Sequence, residues 1–115
     1  MTPEQIKQIV AEAHAAGEAA WRDALARAGG VDGGACGFAW VNLYEHGGKK
    51  LDGRSRMGRA MKAAGVDRDW NGAFQIWNAG GYPGQSIAIR EIANRAAAEV
   101  WRKHGFVAYA GSRLD

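Results

Sequence analysis

The sequence predicts an α+β protein, and three observations carry that reading. Two long segments, one at the N-terminus and one ahead of the C-terminus, repeat apolar residues at helical spacing. Between and after them, short runs rich in aromatic and branched residues alternate with the period of a strand. The seventeen glycines cluster between these segments rather than inside them, which marks the turns.

The first helix opens at "TPEQ". Thr2 is a natural N-cap, Pro3 suits the first helical position, and Gln5 completes a capping box. Ile6, Ile9, Val10, Ala13, Trp21, Ala24, Leu25 and Ala28 then form an amphipathic stripe, and Gly29 and Gly30 close the helix, so residues 1–30 are its segment. "CGFAWVNLY" (36–44) follows as a strand. Alternation sets Ala39, Val41 and Leu43 on one face and Cys36, Phe38, Trp40, Asn42 and Tyr44 on the other. Beyond the loop "EHGGKKLDGR", Ser55 caps a second helix whose stripe is Met57, Ala60, Met61 and Ala64, stopped by Gly65. Asn71-Gly72 is a hairpin signal between strands at 66–70 and 73–78. After "AGGYPGQS", Ser86 caps a third helix with Ile89, Ile92, Ala93, Ala96, Val100 and Trp101 inward. Glu91–Arg95 and Glu99–Lys103 form pairs on its outside. Gly105 ends that helix and "FVAYA" is the last strand.

Residues 36–111 therefore read β-α-β-β-α-β, the order of a ferredoxin-like split βαβ unit backed on one face by two helices. The alternative, should the hairpin fail, is a three-stranded α/β sandwich. The whole chain, 1–115, reads as one domain. No apolar run approaches about eighteen residues, so no membrane span is expected. No signal peptide is evident either, and the lone Cys36 fits a reducing cytoplasm.

The net charge is only +3, but its distribution is uneven. Between Gly47 and Val66 stand Lys49, Lys50, Arg54, Arg56, Arg59 and Lys62 against Asp52 alone. A local positive patch points to an anionic partner. If the two loops leave parallel central strands at one end of the sheet, both helix starts share a hollow. Lys49, Lys50, Arg54, Ser55, Arg56 and Arg59 from one side, with Gln85 and Ser86 from the other, then form a phosphate receptor.

The strand alternation also yields an aromatic face. Gln75 and Trp77 join Phe38, Trp40, Asn42 and Tyr44 on it, and Trp40 and Trp77 are stacking surfaces for bases wherever that face is open. The surplus apolar surface of the first helix argues that this helix covers the face.

Other chemistries fare worse. His46 stands ten residues along the strand from Cys36, roughly 30 Å away, and His104 precedes a strand that begins at the opposite end, so only His14, inside the first helix, could approach Cys36 by packing to form a Cys–His dyad. Cys36 is expected to be a small buried hydrophobe. Three histidines without short spacing support no metal site and no cofactor is implied. The glycine-rich "GGVDGGACG" joins a helix to a strand, the wrong order for a phosphate loop, and reads as a flexible connector.

The phrases "CGFAWVNL", "AFQIWNAGGYPGQS" and "AYAGSRLD" resemble a group of small uncharacterised proteins of phages and prophages, over most of residues 34–115. The resemblance carries over no catalytic residue. It implies an accessory protein of the bacterial cytoplasm whose partner is nucleic acid, a nucleotide or a host defence protein. The expected function is therefore non-enzymatic binding of a phosphate-bearing ligand. Its alternatives are a protein-protein inhibitor of a host complex such as a CRISPR effector, anchored by tryptophans, and a small nucleotide-processing enzyme using Cys36, or Asp115 with Arg113. Open strand edges leave self-association as a homo-oligomer available.

Overall fold

The computed structural model describes residues 1–44, 51–69 and 72–115. Its elements run α1 (Pro3–Arg27), β1 (Gly37–Tyr44), α2 (Arg56–Ala63), β2 (Asp67–Arg68), β3 (Phe74–Trp77), α3 (Ile87–Lys103) and β4 (Val107–Leu114). The class is α+β, with the long N-terminal helix and β-α-β-β-α-β order that the sequence predicts. Among the described residues the strands form one sheet, ordered β2-β3-β1-β4, and each neighbouring pair is antiparallel.

Local sequence explains where the helices begin. The Thr2 amide donates to Gln5 Oε1 at 2.8 Å and the Gln5 amide to Thr2 Oγ1 at 3.2 Å, a complete capping box. Ser55 and Ser86 accept from the amides three residues on, at 3.0 and 3.4 Å. The strands depart from expectation at their ends. β2 and β3 are shorter than 66–70 and 73–78, and Trp70 and Asn71 of the hairpin lie outside the described residues. β4 runs on through Leu114, because Gly111 to Leu114 continue the pairing with Trp40 to Gly37.

One layer of helices covers one face of the sheet. Ala39, Val41 and Leu43 are buried there as the alternation requires, with Phe74 and Ala108 from the neighbouring strands. Ile6, Ile9 and Ala13 of α1, Ala60 and Met61 of α2, and Ala97, Val100 and Trp101 of α3 fill the same core. On α3 the buried stripe includes Asn94, which accepts the Ala79 amide at 3.0 Å, while Ile92 is exposed. Glu91 pairs with Arg95 at 3.9 Å, whereas Glu99 pairs with Arg102 rather than Lys103.

The first helix lies in this helical layer, packed along α3 and touching α2. Its docking depends on two glycines. At Gly17 a β-carbon would sit 3.0 Å from Gly80 Cα and 3.0 Å from the Ala93 carbonyl oxygen. Gly80, at φ +87°, would bring one to 2.6 Å from the Gly17 carbonyl carbon. Backbone thus meets backbone where α1 crosses the β3–α3 loop, and Trp21 Nε1 fastens the crossing by donating to the Gly80 carbonyl at 2.7 Å. Neither side can yield, so overpacking there costs about 1–3 kcal/mol. Gly80→Ala and Gly17→Val should each lose that much in urea denaturation, while Gly33→Ala, whose new methyl meets nothing closer than 3.9 Å, should stay within about 0.5 kcal/mol of the parent.

Candidate functional site

The expected phosphate receptor is not assembled. β1 and β3 pair antiparallel, so the loops that follow them emerge from opposite ends of the sheet. Ser55, Arg54, Arg56 and Arg59 follow the C-terminal end of β1. Gln85 and Ser86 stand beside its start, where the Gly37 amide bonds to the Gln85 carbonyl at 3.1 Å and Cys36 forms a bridge with Ser86. Lys49 and Lys50 lie outside the described residues. Arg54 is 3.8 Å from Asp52, and Arg56 and Arg59 are exposed along α2. The Ser55 hydroxyl is engaged twice, accepting from Gly58 and donating to the Asp52 carbonyl at 2.7 Å.

At the start of α3 an anion is already bound, and it belongs to the chain. Asp32 accepts the Gln85 amide at 2.9 Å, the Ser86 amide at 3.0 Å and the Tyr82 hydroxyl at 2.5 Å. These donors, Tyr82 first and then the two amides, hold its carboxyl below the usual carboxylate value, helped by the charge of Arg90. Burial and then the Asp32 contact push the Tyr82 phenol up to about 12. The segment is therefore tied down rather than the flexible connector that its glycines predict. The available signal was Asp32 itself, the one acid between Asp23 and Glu45.

Among the described residues no helix covers the opposite sheet face. The expectation that α1 covers it is overturned, because α1's stripe is consumed by α3 and the core. Trp77 is 47% and Tyr109 48% exposed. Trp40 and Trp77 face each other across β1 and β3 and stack with ring centroids 4.7 Å apart at 29°. Phe38 meets Trp77 edge-on at 6.4 Å. One step along, Asn42 opposes Gln75 and the amides lock the pair of indoles. Trp40 Nε1 and Gln75 Nε2 donate to Asn42 Oδ1 at 3.2 and 3.0 Å, and Trp77 Nε1 donates to Gln75 Oε1 at 3.0 Å. These side chains are held before any partner arrives.

β4 extends the surface. Gly111 lies opposite Trp40, and a β-carbon there would come within 2.6 Å of the indole nitrogen, so the ring lies across bare backbone. Tyr109 stacks on Tyr44 at 5.5 Å and 14°, with the two hydroxyls 2.9 Å apart. That hydrogen bond, then burial, pushes the Tyr44 phenol up to about 12. Arg113 stands 5.4 Å over the Phe38 ring and supplies a cation to the face.

Cys36 is exposed rather than buried. It sits ahead of β1, bridged to Ser86 at the start of α3, with its side chain toward solvent. His46 lies outside the described residues. His14 lies against Gly81, and His104 reaches Glu12 of α1 at 2.9 Å. Among the described residues no three His, Cys, Asp or Glu side chains gather as a metal group, and no helix is long and apolar enough to cross a membrane. Comparison of the chain with family models, curated proteins and solved structures finds no match.

Two outcomes follow from these contacts. Because the folded carboxyl of Asp32 titrates below its unfolded value, about 3.9, its contribution is present above that value and is lost as pH falls through the depressed one. Asp32→Asn should therefore lower the thermal midpoint at neutral pH, and the gap to the parent should narrow on acidification. Gly111→Val should displace Trp40 and weaken the exciton-coupled circular dichroism of the Trp40–Trp77 pair, as Trp77→Phe does outright.

Proposed function

We propose that the protein is a non-enzymatic binding module for single-stranded nucleic acid, and that bases stack on the open aromatic face of its sheet. The observation that carries this reading is the Trp40–Trp77 pair, pinned by Asn42 and Gln75 on a face that no helix among the described residues covers. Exposed indoles held in one orientation cost a flexible strand less ordering than mobile ones. Every base offers a π-face to such a platform, so recognition there tolerates sequence. The amides and Tyr109 supply hydrogen-bonding groups beside the rings, and Arg113 supplies a charge for the backbone phosphates. Such a module suits the phage or prophage accessory role in the bacterial cytoplasm that the resemblance implies.

Among the described residues the face holds few cations, and the arginines of α2 belong to the helical layer on the other side. Stacking rather than charge is therefore the main source of affinity, and the salt dependence should be shallow. In fluorescence titrations with a thymidine oligonucleotide about eight nucleotides long, binding should quench tryptophan emission. Trp77→Ala should weaken it about 5- to 150-fold, the loss of one stacked base. Arg113→Ala should reduce the slope of log K against log salt by about 0.7, one phosphate contact. No binding by any DNA or RNA oligonucleotide, or binding that Trp77→Ala leaves untouched, overturns the reading.

A further inference from the structure

We infer that the free edge of β4 is the seam of a two-fold dimer, in which a second copy of this chain pairs antiparallel about Gly111 and joins the two aromatic faces. The two edges of the sheet differ in how they are guarded. β2 is two residues long, Asp67 and Arg68, both exposed, the short charged edge that deters pairing. β4 is eight residues long, keeps unbroken register with β1, and contains neither proline nor lysine. Its one cation, Arg113, leans inward over Phe38. Among the described residues β4 pairs with β1 alone.

The hydrogen-bond phase fixes which groups this edge presents. The Asp115 amide bonds to the Cys36 carbonyl at 3.1 Å, so by alternation Phe38–Arg113, Trp40–Gly111 and Asn42–Tyr109 are the pairs that exchange main-chain bonds. The Asn78 amide on the Ala39 carbonyl agrees, because it turns the odd-numbered residues of β1 toward β3. The main chains of Ala108, Ala110, Ser112 and Leu114 therefore point out of the sheet. Arg102 Nη1 marks the direction by donating to the Ala108 carbonyl at 2.6 Å. That oxygen keeps a second lone pair.

These outward residues are centred on Gly111, and a two-fold axis there matches every one. Ala110 meets the partner's Ser112, Ala108 meets the partner's Leu114, and the reverse. Gly111 then opposes its own copy in a non-hydrogen-bonded pair. The β-carbon positions of facing residues lie about 4.5–5.5 Å apart, and here each is filled by the edge of a Trp40 ring. The rings meet across the seam, so Trp77, Trp40, the partner's Trp40 and the partner's Trp77 form one row. A centre one residue away would instead drive Tyr109 or Arg113 against the ring that already fills the space at Gly111.

The helical side of the seam is complementary as well. Ser112 Oγ donates to Glu91 at 2.8 Å and Arg102 reaches Ala108, so Arg95, between them on α3, stands near Ala110 along the strand. Its own ion pair with Glu91 is long, 3.9 Å. Because Ala110 opposes the partner's Ser112, each Arg95 faces the partner's Glu91, and the four charges alternate around the axis. This match of the surface to itself specifies a second copy rather than an unrelated extended peptide.

Sedimentation equilibrium of the intact protein, without nucleic acid, should give the mass of two chains, and amide exchange at Ala110 and Ser112 should slow as concentration rises. Ala110→Pro removes an N–H that the fold does not use, a replacement that edge strands accept. It takes two hydrogen bonds from the dimer and should weaken association about 30-fold, with an unchanged circular dichroism spectrum. Arg95→Glu should weaken it too, and Glu91→Arg combined with Arg95→Glu should restore it; if Ala110→Pro disturbs the fold, this charge exchange decides. Monomer at every concentration overturns the inference and leaves the edge to a strand of another protein. A dimer that these variants leave intact also overturns it, since it forms through another surface. Each result is read without an oligonucleotide, so it stands or falls apart from the nucleic-acid reading.

Discussion

The antiparallel pairing of β1 with β3, in the register that sets Trp40 against Trp77 and Asn42 against Gln75, is the constraint on which the molecule turns. A slip of β3 by one residue against β1 would turn Trp77 toward the core, parting it from Trp40, and bring Ile76 outside. The amides beside the rings resist such a slip, because Asn42 accepts from Trp40 and Gln75 at once. The same pairing sends the β1 and β3 exits to opposite ends of the sheet. The register thus concentrates the aromatic surface while it disperses the charged loops.

Placement of α1 completes the effect. A helix with so broad an apolar stripe has two sites available, the aromatic face or the flank of α3. The bare contact between Gly17 and Gly80, tightened by the Trp21 bond, selects the second. With Ile6, Ile9 and Ala13 used in the core, little apolar surface remains to reach around the sheet. The open face is a result of close backbone packing elsewhere in the molecule. Asp32 acts in a similar way at the other end, filling with the chain's own carboxylate a helix start that would otherwise attract a ligand.

Much of the architecture was legible because it rests on local chemistry. Thr2, Ser55 and Ser86 announce their helices, and the period-two pattern of residues 38–44 sorts core from surface correctly. The pairing of Trp40 and Trp77 on one face was legible for the same reason. What escaped is what depends on distant partners. Nothing near Gly17 says that Gly80 will press against it. Asp32 gains meaning only when Gln85, more than fifty residues away, arrives beside it. The relative direction of β1 and β3 likewise follows from the whole strand order, and only a parallel pair would bring the two loops to one hollow. The sequence expectation ends the last strand at "FVAYA"; residues 111–114 continue it because pairing with β1 overrides the weak strand tendency of Gly111 and Ser112.

The seat of Trp40 carries a consequence for how such a sequence diverges. The indole occupies the volume that a side chain at position 111 would need, so these two sites hold one shared allotment of space. Descendants of this chain can enlarge residue 111 only by shrinking the ring at residue 40 or driving it from its seat. The two positions are therefore coupled, and a lineage that fills the first has given up the seat of the flat ring at the second.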